Sequence, residues 1–102
     1  MSASLAHDPV ALTQALIRRA SVTPRDDGAI GILAETLRGL GFDCAELPFS
    51  EPGTEDVLNL WAKLGKSGRH LCFAGHTDVV PPGDPAHWKV DPFAGEVIDG
   101  QL

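Results

Sequence analysis

A continuous run of apolar residues at positions 71–74 constrains the fold of this chain more than any other feature. The run, Leu-Cys-Phe-Ala, has polar residues or glycine on either side. Strands made only of apolar residues are typical of sheets that are covered on both faces, because neither face meets water. Helical and strand patterns both precede the run, so the chain is predicted to be an α/β domain. We expect two helices packed on a mixed sheet, with residues 71–74 as its buried central strand.

The first helix is predicted to begin at Pro9, with Asp8 as its N-cap. Aspartate satisfies the free N–H groups of a first turn, and proline is well tolerated at the first helical position. Apolar residues then recur at steps of three and four, which is the stripe of an amphipathic helix. The helix is expected to end before Pro24, with Arg18 and Arg19 in its last turn, where positive charge complements the helix dipole.

A second helix and two strands are expected in the next part of the chain. The helix is predicted at about residues 27–40, with Gly41 as a left-handed cap after its last turn. Residues 42–49 indicate a short strand. In residues 57–64, leucine or alanine occupies every second position, which is the pattern of a strand with one buried face.

Size and charge limit the classes of function that the chain can have. Its 102 residues are enough for one modest domain. Eight Lys and Arg against fourteen Asp and Glu give a formal net charge of −6. Nucleic acids and anionic membrane surfaces require concentrated positive charge, so neither is expected as a partner. No apolar run approaches the roughly 18 residues of a membrane-spanning helix.

Cysteine usage and the first residues both favour a cytoplasmic location. Residues 1–8 lack a basic segment followed by an apolar one, which is the pattern of a secretory signal. Cys44 and Cys72 have no metal-type spacing, and two free thiols are the simplest interpretation, with a disulfide left open. Cys72 lies inside the apolar run and is expected to be a small buried residue, not a nucleophile.

The last six residues have the pattern of a hairpin whose second arm stops early. Val97 and Ile98 indicate a strand, Asp99 and Gly100 a tight turn, and residues 101–102 the start of a returning strand. An incomplete second arm leaves backbone groups of the first without partners. We therefore expect an incomplete hairpin at the front part of a longer protein. The alternative is a stand-alone, non-catalytic α/β module that binds a partner.

The strongest candidate for a functional site, residues 75–84, directly follows the apolar run. His76 and Asp78 are two positions apart, so they project to the same side of an extended chain. They follow a predicted strand at its C-terminal end, where open α/β sheets place ligands. A neutral imidazole binds zinc, and a carboxylate can hold its other ring nitrogen. Taken alone, the pair fits a loop histidine hydrogen-bonded to a nearby aspartate better than it fits a zinc site, since zinc needs three or four protein ligands.

A wider pattern around this pair carries a family resemblance. The string Gly-His-Thr-Asp-Val-Val-Pro-Pro-Gly-Asp at 75–84 is followed by Trp88 and by Asp-Pro-Phe at 91–93. It resembles the succinyl-diaminopimelate desuccinylases, within the zinc aminoacylase and carboxypeptidase superfamily. The resemblance begins near residue 12 and includes residues 21–24, 40–42 and 59–62. It implies that residues 1–102 are the N-terminal portion of a zinc-peptidase-like catalytic domain, without a dimerisation domain.

The resemblance also implies an activity, a cofactor and roles for two residues. It implies a cytoplasmic, homodimeric, metal-dependent amidohydrolase that uses two zinc ions per subunit, with cobalt as a replacement. Such an enzyme cleaves N-succinyl-LL-2,6-diaminopimelate to succinate and LL-2,6-diaminopimelate, in lysine and diaminopimelate biosynthesis. By motif match, His76 is implied to be a zinc ligand and Asp78 the active-site aspartate that orients the metal site.

The resemblance leaves the substrate open and predicts no activity for the 102 residues alone. The related acetylornithine deacetylases and other sibling hydrolases share much of the pattern, and the choice depends mainly on residues 21–24 and 82–84. The family's bridging aspartate, glutamate base and remaining metal ligands are implied to lie beyond residue 102. With His76 as the one ligand present, the isolated chain is expected to be inactive.

Overall fold

Two short helices and one β-hairpin make up most of the regular structure in residues 5–102, the part of the chain that the computed structural model describes. In chain order the elements are α1 (Pro9–Ile17), α2 (Ala29–Gly39), β1 (Asp43–Phe49), β2 (Val57–Lys63) and a 3-10 helix (Pro85–His87). No helix within residues 5–102 has the length and hydropathy needed to cross a lipid bilayer. Residues 1–4, which belong to the segment predicted to lack a secretory signal, lie outside the described residues.

The start of α1 is capped as predicted. The Asp8 carboxylate accepts a hydrogen bond from the N–H of Ala11 (3.0 Å), and Pro9 is the first helical residue. Asp8 itself has extended backbone angles, which is the usual conformation of an N-cap. The carboxylate therefore satisfies one of the donors that a first turn leaves free.

The end of α1 comes earlier than predicted. The expectation that Arg18 and Arg19 lie in the last turn is wrong, because the helix ends at Ile17. The N–H of Ala20 bonds the Asp27 carboxylate (2.8 Å) and not the carbonyl four residues back, which would continue the helix. A side-chain acceptor thus competes successfully with the helical backbone acceptor at this point.

The start of α2 also differs from the prediction, by about two residues. Gly28 has a φ of +88°, outside the right-handed helical region, so the helix begins at Ala29. The Asp26 carboxylate accepts hydrogen bonds from the N–H groups of Gly28 (3.1 Å) and Ile30 (3.1 Å). The side chain that caps α2 therefore belongs to Asp26, two residues before the N-cap residue Gly28.

Replacing Asp26 with alanine is expected to destabilise the protein by about 1 kcal/mol, because two N–H groups at the start of α2 lose their acceptor. Asp26→Asn keeps an acceptor oxygen and is the matched control, with a much smaller expected loss. Urea unfolding of the natural protein that contains these residues measures both values. Equal stabilities for the alanine and asparagine variants would contradict this assignment of the cap.

The end of α2 is closed by Gly41, as predicted. Gly41 has a φ of +94°, which an L side chain rarely adopts. Its N–H bonds the Arg38 carbonyl (3.0 Å), and the N–H of Phe42 bonds the Leu37 carbonyl (3.0 Å). This pair of bonds is the Schellman motif, which satisfies carbonyls of the last helical turn.

The hairpin of β1 and β2 follows the predicted alternation. Its antiparallel register pairs Asp43 with Lys63 at one end and Phe49 with Val57 at the other. Three side chains of β2 are half-buried while their neighbours are exposed: Leu58, Leu60 and Ala62. The core lies between this face and α2, whose buried residues are Ala29, Ile30, Ala34 and Thr36.

The predicted buried central strand at residues 71–74 is wrong for the chain as the structure describes it. The sheet within residues 5–102 has two strands, β1 and β2, and is antiparallel rather than mixed. Leu71 is 81% exposed and Phe73 is 89% exposed, and Cys72 is an exposed free thiol rather than a buried one. An apolar run becomes a buried strand only when neighbouring strands and covering layers are present, and the described residues supply neither.

The turn at Asp99 and Gly100 is confirmed. Both residues have positive φ values, +52° and +75°, as a two-residue hairpin turn requires. Ile98 and Gln101 exchange backbone hydrogen bonds of 2.8 and 3.0 Å across it. The pairing consists of this single bridge, so the arms do not extend into strands.

Candidate functional site

The loop of residues 76–79 is attached to the segment between α1 and α2. Val22 and Val79 form a parallel bridge. The N–H of Val79 bonds the Ser21 carbonyl (2.9 Å), and the N–H of Thr23 bonds the Val79 carbonyl (3.0 Å). Backbone bonds in both directions fix the position of the loop relative to the end of α1.

A buried serine adds a third bond to this attachment. Ser21 is 2% exposed, and its hydroxyl donates to the backbone carbonyl of Thr77 (2.8 Å). Thr77 lies between His76 and Asp78, so this bond holds the middle of the candidate site. A buried hydroxyl that is hydrogen-bonded avoids the cost of desolvation without a partner.

His76 and Asp78 are in contact, as their spacing predicted. The Nδ1 atom of His76 lies 3.0 Å from Oδ1 of Asp78 and 2.8 Å from the backbone carbonyl oxygen of the same residue. A carbonyl oxygen only accepts hydrogen bonds, so Nδ1 is assigned as the protonated nitrogen. In the neutral ring, Nε2 then carries the lone pair, which is the form that binds a metal ion.

The same contacts shift the ionisation of both side chains. The backbone carbonyl of Asp78, and then its carboxylate, raise the pKa of His76 above its ordinary value, because both favour a protonated ring. The pKa of Asp78 is lowered, chiefly by a side-chain hydrogen bond from Thr23 and then by His76. The carboxylate is therefore held in its charged form, which suits a group that orients an imidazole.

The pair lines a large cavity. Its volume is about 1070 Å³, and its lining includes His76, Asp78 and Thr23 together with the apolar face of β2 and part of α2. The His76 side chain is 80% exposed and that of Asp78 is 46% exposed, so a solute can reach both. Pockets with apolar walls and a few convergent polar groups are common binding sites for small molecules.

His76 and Asp78 fit one ligand position of a zinc site, as the ligand and its supporting carboxylate. A histidine with Nδ1 bonded to a carboxylate and Nε2 available matches the usual arrangement of a zinc-binding imidazole with its supporting group. Within residues 5–102, no cluster of three or more His, Cys, Asp or Glu side chains could hold a metal ion. A zinc site that includes His76 therefore needs further ligands from outside this part of the chain.

Thr23 is the site residue that reasoning from spacing missed. It is far from Asp78 in the sequence, and no local pattern links a threonine after one helix to a loop so distant. The available signal was the Ser-Val-Thr-Pro string at 21–24, which formed part of the family resemblance. Its place in the structure is beside the His76 and Asp78 loop.

Comparison with known proteins gives close relatives along nearly the whole chain. A succinyl-diaminopimelate desuccinylase of Rhodospirillum centenum is 61% identical over 98 residues, which are 96% of this chain and 25% of the relative. Enzymes of the same name from Rhodopseudomonas palustris and Methylorubrum extorquens are 56% and 55% identical, over 97% and 94% of this chain. No family model matches the chain. The chain spans about a quarter of the length of these curated relatives.

Proposed function

We propose that this chain, which belongs to the succinyl-diaminopimelate desuccinylase family by sequence, forms part of the catalytic domain of a zinc-dependent amide hydrolase. The proposed reaction converts N-succinyl-LL-2,6-diaminopimelate to succinate and LL-2,6-diaminopimelate. The observation that carries the proposal is the 61% identity over 98 of the 102 residues. Since so few residues lie outside that match, the loop with His76 and Asp78 falls within it.

The proposed roles of the two site residues follow from their contacts. His76 binds one zinc ion through Nε2, and Asp78 holds the ring through Nδ1, which fixes both its tautomer and its direction. When bound, zinc makes a water molecule acidic near neutral pH and polarises the amide carbonyl. The cavity beside the pair offers the substrate an apolar wall along β2 and α2.

The other zinc ligands and the general base are proposed to lie outside these 102 residues. The chain spans a quarter of the length of its relatives, and one histidine cannot hold zinc by itself. The other ligands and the general base are therefore expected in the remaining three quarters of a protein of that length. Activity is accordingly assigned to the natural protein that contains these residues, and none is expected of residues 1–102 alone.

The family relationship also supports three coarser proposals about the whole protein. They are a cytoplasmic location, a homodimer, and a role in lysine and diaminopimelate biosynthesis. Light scattering of the purified natural protein tests whether it is a homodimer. A monomer at micromolar concentration would contradict it.

Chelation gives the most direct functional test. The natural protein is expected to release succinate from N-succinyl-LL-2,6-diaminopimelate, to lose that activity on removal of its metal, and to regain it with zinc or cobalt. N-acetylornithine is the control substrate. Hydrolysis of acetylornithine alone would identify a sibling deacetylase, and hydrolysis of neither compound would favour a non-catalytic module.

A further inference from the structure

We infer that Ser21 is a positioning residue, which holds the backbone of Asp78 so that Asp78 can support the His76 ring. The inference deepens the proposed function and rests on it. Ser21 does not line the cavity beside His76, so it is not among the groups that would meet a substrate or a metal ion. It acts through the two peptide groups on either side of Asp78.

The backbone register sets Ser21 beside Asp78. Val22 and Val79 are bridge partners in a parallel pairing, so the residues just before them, Ser21 and Asp78, lie opposite each other. The two residues belong to segments that are far apart in the sequence. Pairing of the main chains therefore brings them together.

Ser21 bonds both peptide groups that flank Asp78. Its hydroxyl donates to the carbonyl of Thr77 (2.8 Å), which belongs to the peptide group before Asp78. Its own carbonyl accepts from the N–H of Val79 (2.9 Å), which belongs to the peptide group after Asp78. Peptide groups are planar, so a residue between two fixed groups has both of its backbone angles restricted. Ser21 thus restricts the backbone conformation of Asp78.

The backbone conformation of Asp78 decides where the His76 ring finds its partners. Nδ1 of His76 bonds the carbonyl oxygen of Asp78 (2.8 Å) and its Oδ1 atom (3.0 Å). The carbonyl oxygen belongs to the same peptide group as the Val79 N–H that Ser21 binds. The carboxylate is attached to the Cα atom between the two fixed groups. Rotation of either group would move an acceptor away from Nδ1, and Nε2 would lose its fixed direction.

Ser21 is itself held firmly enough for this role. It is 2% exposed, so little water can compete with its hydroxyl for the carbonyl that it binds. Directly before it, the N–H of Ala20 bonds the Asp27 carboxylate (2.8 Å). A group that the fold already orders loses little conformational entropy when it makes a further hydrogen bond. The His76 side chain, by contrast, is 80% exposed, so its direction depends on its supports.

The test compares Ser21→Ala, which removes the hydroxyl, with Ser21→Thr, which keeps it. In the natural protein, we expect the alanine variant to bind zinc about 10-fold more weakly in competition with a chelator. This is the lower end of the range for residues that support a ligand, because Ser21 acts through Asp78. At saturating zinc its kcat is expected to fall with little change in KM. The threonine variant is expected to recover most of the affinity and turnover.

Urea unfolding of each variant establishes that it is folded under the assay conditions. If Ser21→Ala does not fold, Ser21→Cys takes its place, because a thiol is of similar size and is only a weak hydrogen-bond donor. The cysteine variant is expected to lose zinc affinity in the same direction. Wild-type affinity in a folded cysteine variant would then overturn the inference.

A second readout uses the metal-free natural protein. Long-range proton–nitrogen NMR of the His76 ring reports which nitrogen carries the proton. The form protonated at Nδ1 is expected to predominate in the wild type, because both Asp78 acceptors meet Nδ1. The form protonated at Nε2 is expected to increase in Ser21→Ala. A role of Ser21 in stability alone would leave this ratio unchanged, and an unchanged ratio would overturn the inference.

Thr36→Val is the matched control, because Thr36 is also 2% exposed and its hydroxyl also bonds a backbone carbonyl, that of Ile32 (2.8 Å). Thr36 lies on α2 and does not line the cavity, so the control is expected to have wild-type zinc affinity. Wild-type zinc affinity in Ser21→Ala, or equal losses in the alanine and threonine variants, would overturn the inference. If His76→Ala still removes zinc in the same assay, the proposed function survives that failure.

Discussion

Replacing His76 with alanine is expected to abolish tight binding of one zinc ion and nearly all of the proposed amide hydrolysis in the natural protein. The reason is that Nδ1 of this ring is hydrogen-bonded to Asp78, which leaves Nε2 in a fixed direction as the proposed zinc-binding atom. Loss of a supporting residue typically weakens metal binding by about 10-fold to 100-fold, so loss of the ligand itself is expected to cost at least about 100-fold. Zinc retained after dialysis and the rate of succinate release are the two measurements.

His87→Ala is the control for the loss of an imidazole. His87 ends the 3-10 helix and does not line the cavity beside His76. This variant is expected to keep wild-type zinc content and turnover. Unchanged zinc binding and unchanged activity in His76→Ala would contradict the account of the site.

Replacing Gly95 with alanine is expected to have the largest effect on stability. Gly95 is buried against α1 and has a φ of +64°. A Cβ atom there would lie 3.2 Å from the backbone oxygen of Gln14 and 3.4 Å from its Cα. The Gln14 side chain also bonds the Gly95 carbonyl (2.8 Å), so the loop cannot move away without breaking that bond. The left-handed angle and the overlap together are expected to cost about 2–4 kcal/mol.

Gly31→Ala is a control with the opposite expected sign. Gly31 lies inside α2, is exposed, and has no atom within 4 Å of the position that a Cβ would take. Alanine there is expected to stabilise the protein by about 0.5–1 kcal/mol, because it restricts the unfolded chain and favours the helix. Denaturant unfolding measures both variants. A Gly95→Ala protein as stable as the wild type would show that the loop does not need this glycine.

The features predicted correctly from the sequence are those whose causes are local. Asp8 and Pro9 mark the start of α1, and Gly41 marks the end of α2, because capping depends on residues within one turn. The alternation along β2 likewise reflects a single buried face. The end of α1 was predicted wrongly because the acceptor that ends it, Asp27, belongs to the following segment.

Features that depend on distant partners were predicted less well. Residues 71–74 have the composition of a central strand, yet a strand needs neighbours, and residues 5–102 provide none for this run. The candidate site likewise has one feature with a local cause and one that depends on a distant segment. The contact of His76 with Asp78 follows from a spacing of two, whereas the attachment of their loop to the segment after α1 depends on a parallel pairing between Val22 and Val79 that no local pattern predicts.

Diffraction at the zinc absorption edge, from crystals of the zinc-loaded natural protein, tests the central claim most directly. We expect an anomalous peak in bonding contact with Nε2 of His76, while Nδ1 of the same ring remains hydrogen-bonded to Asp78. Residues of the natural protein outside these 102 would supply the other zinc ligands. Zinc bound elsewhere, with the His76 ring free of metal, would contradict the account.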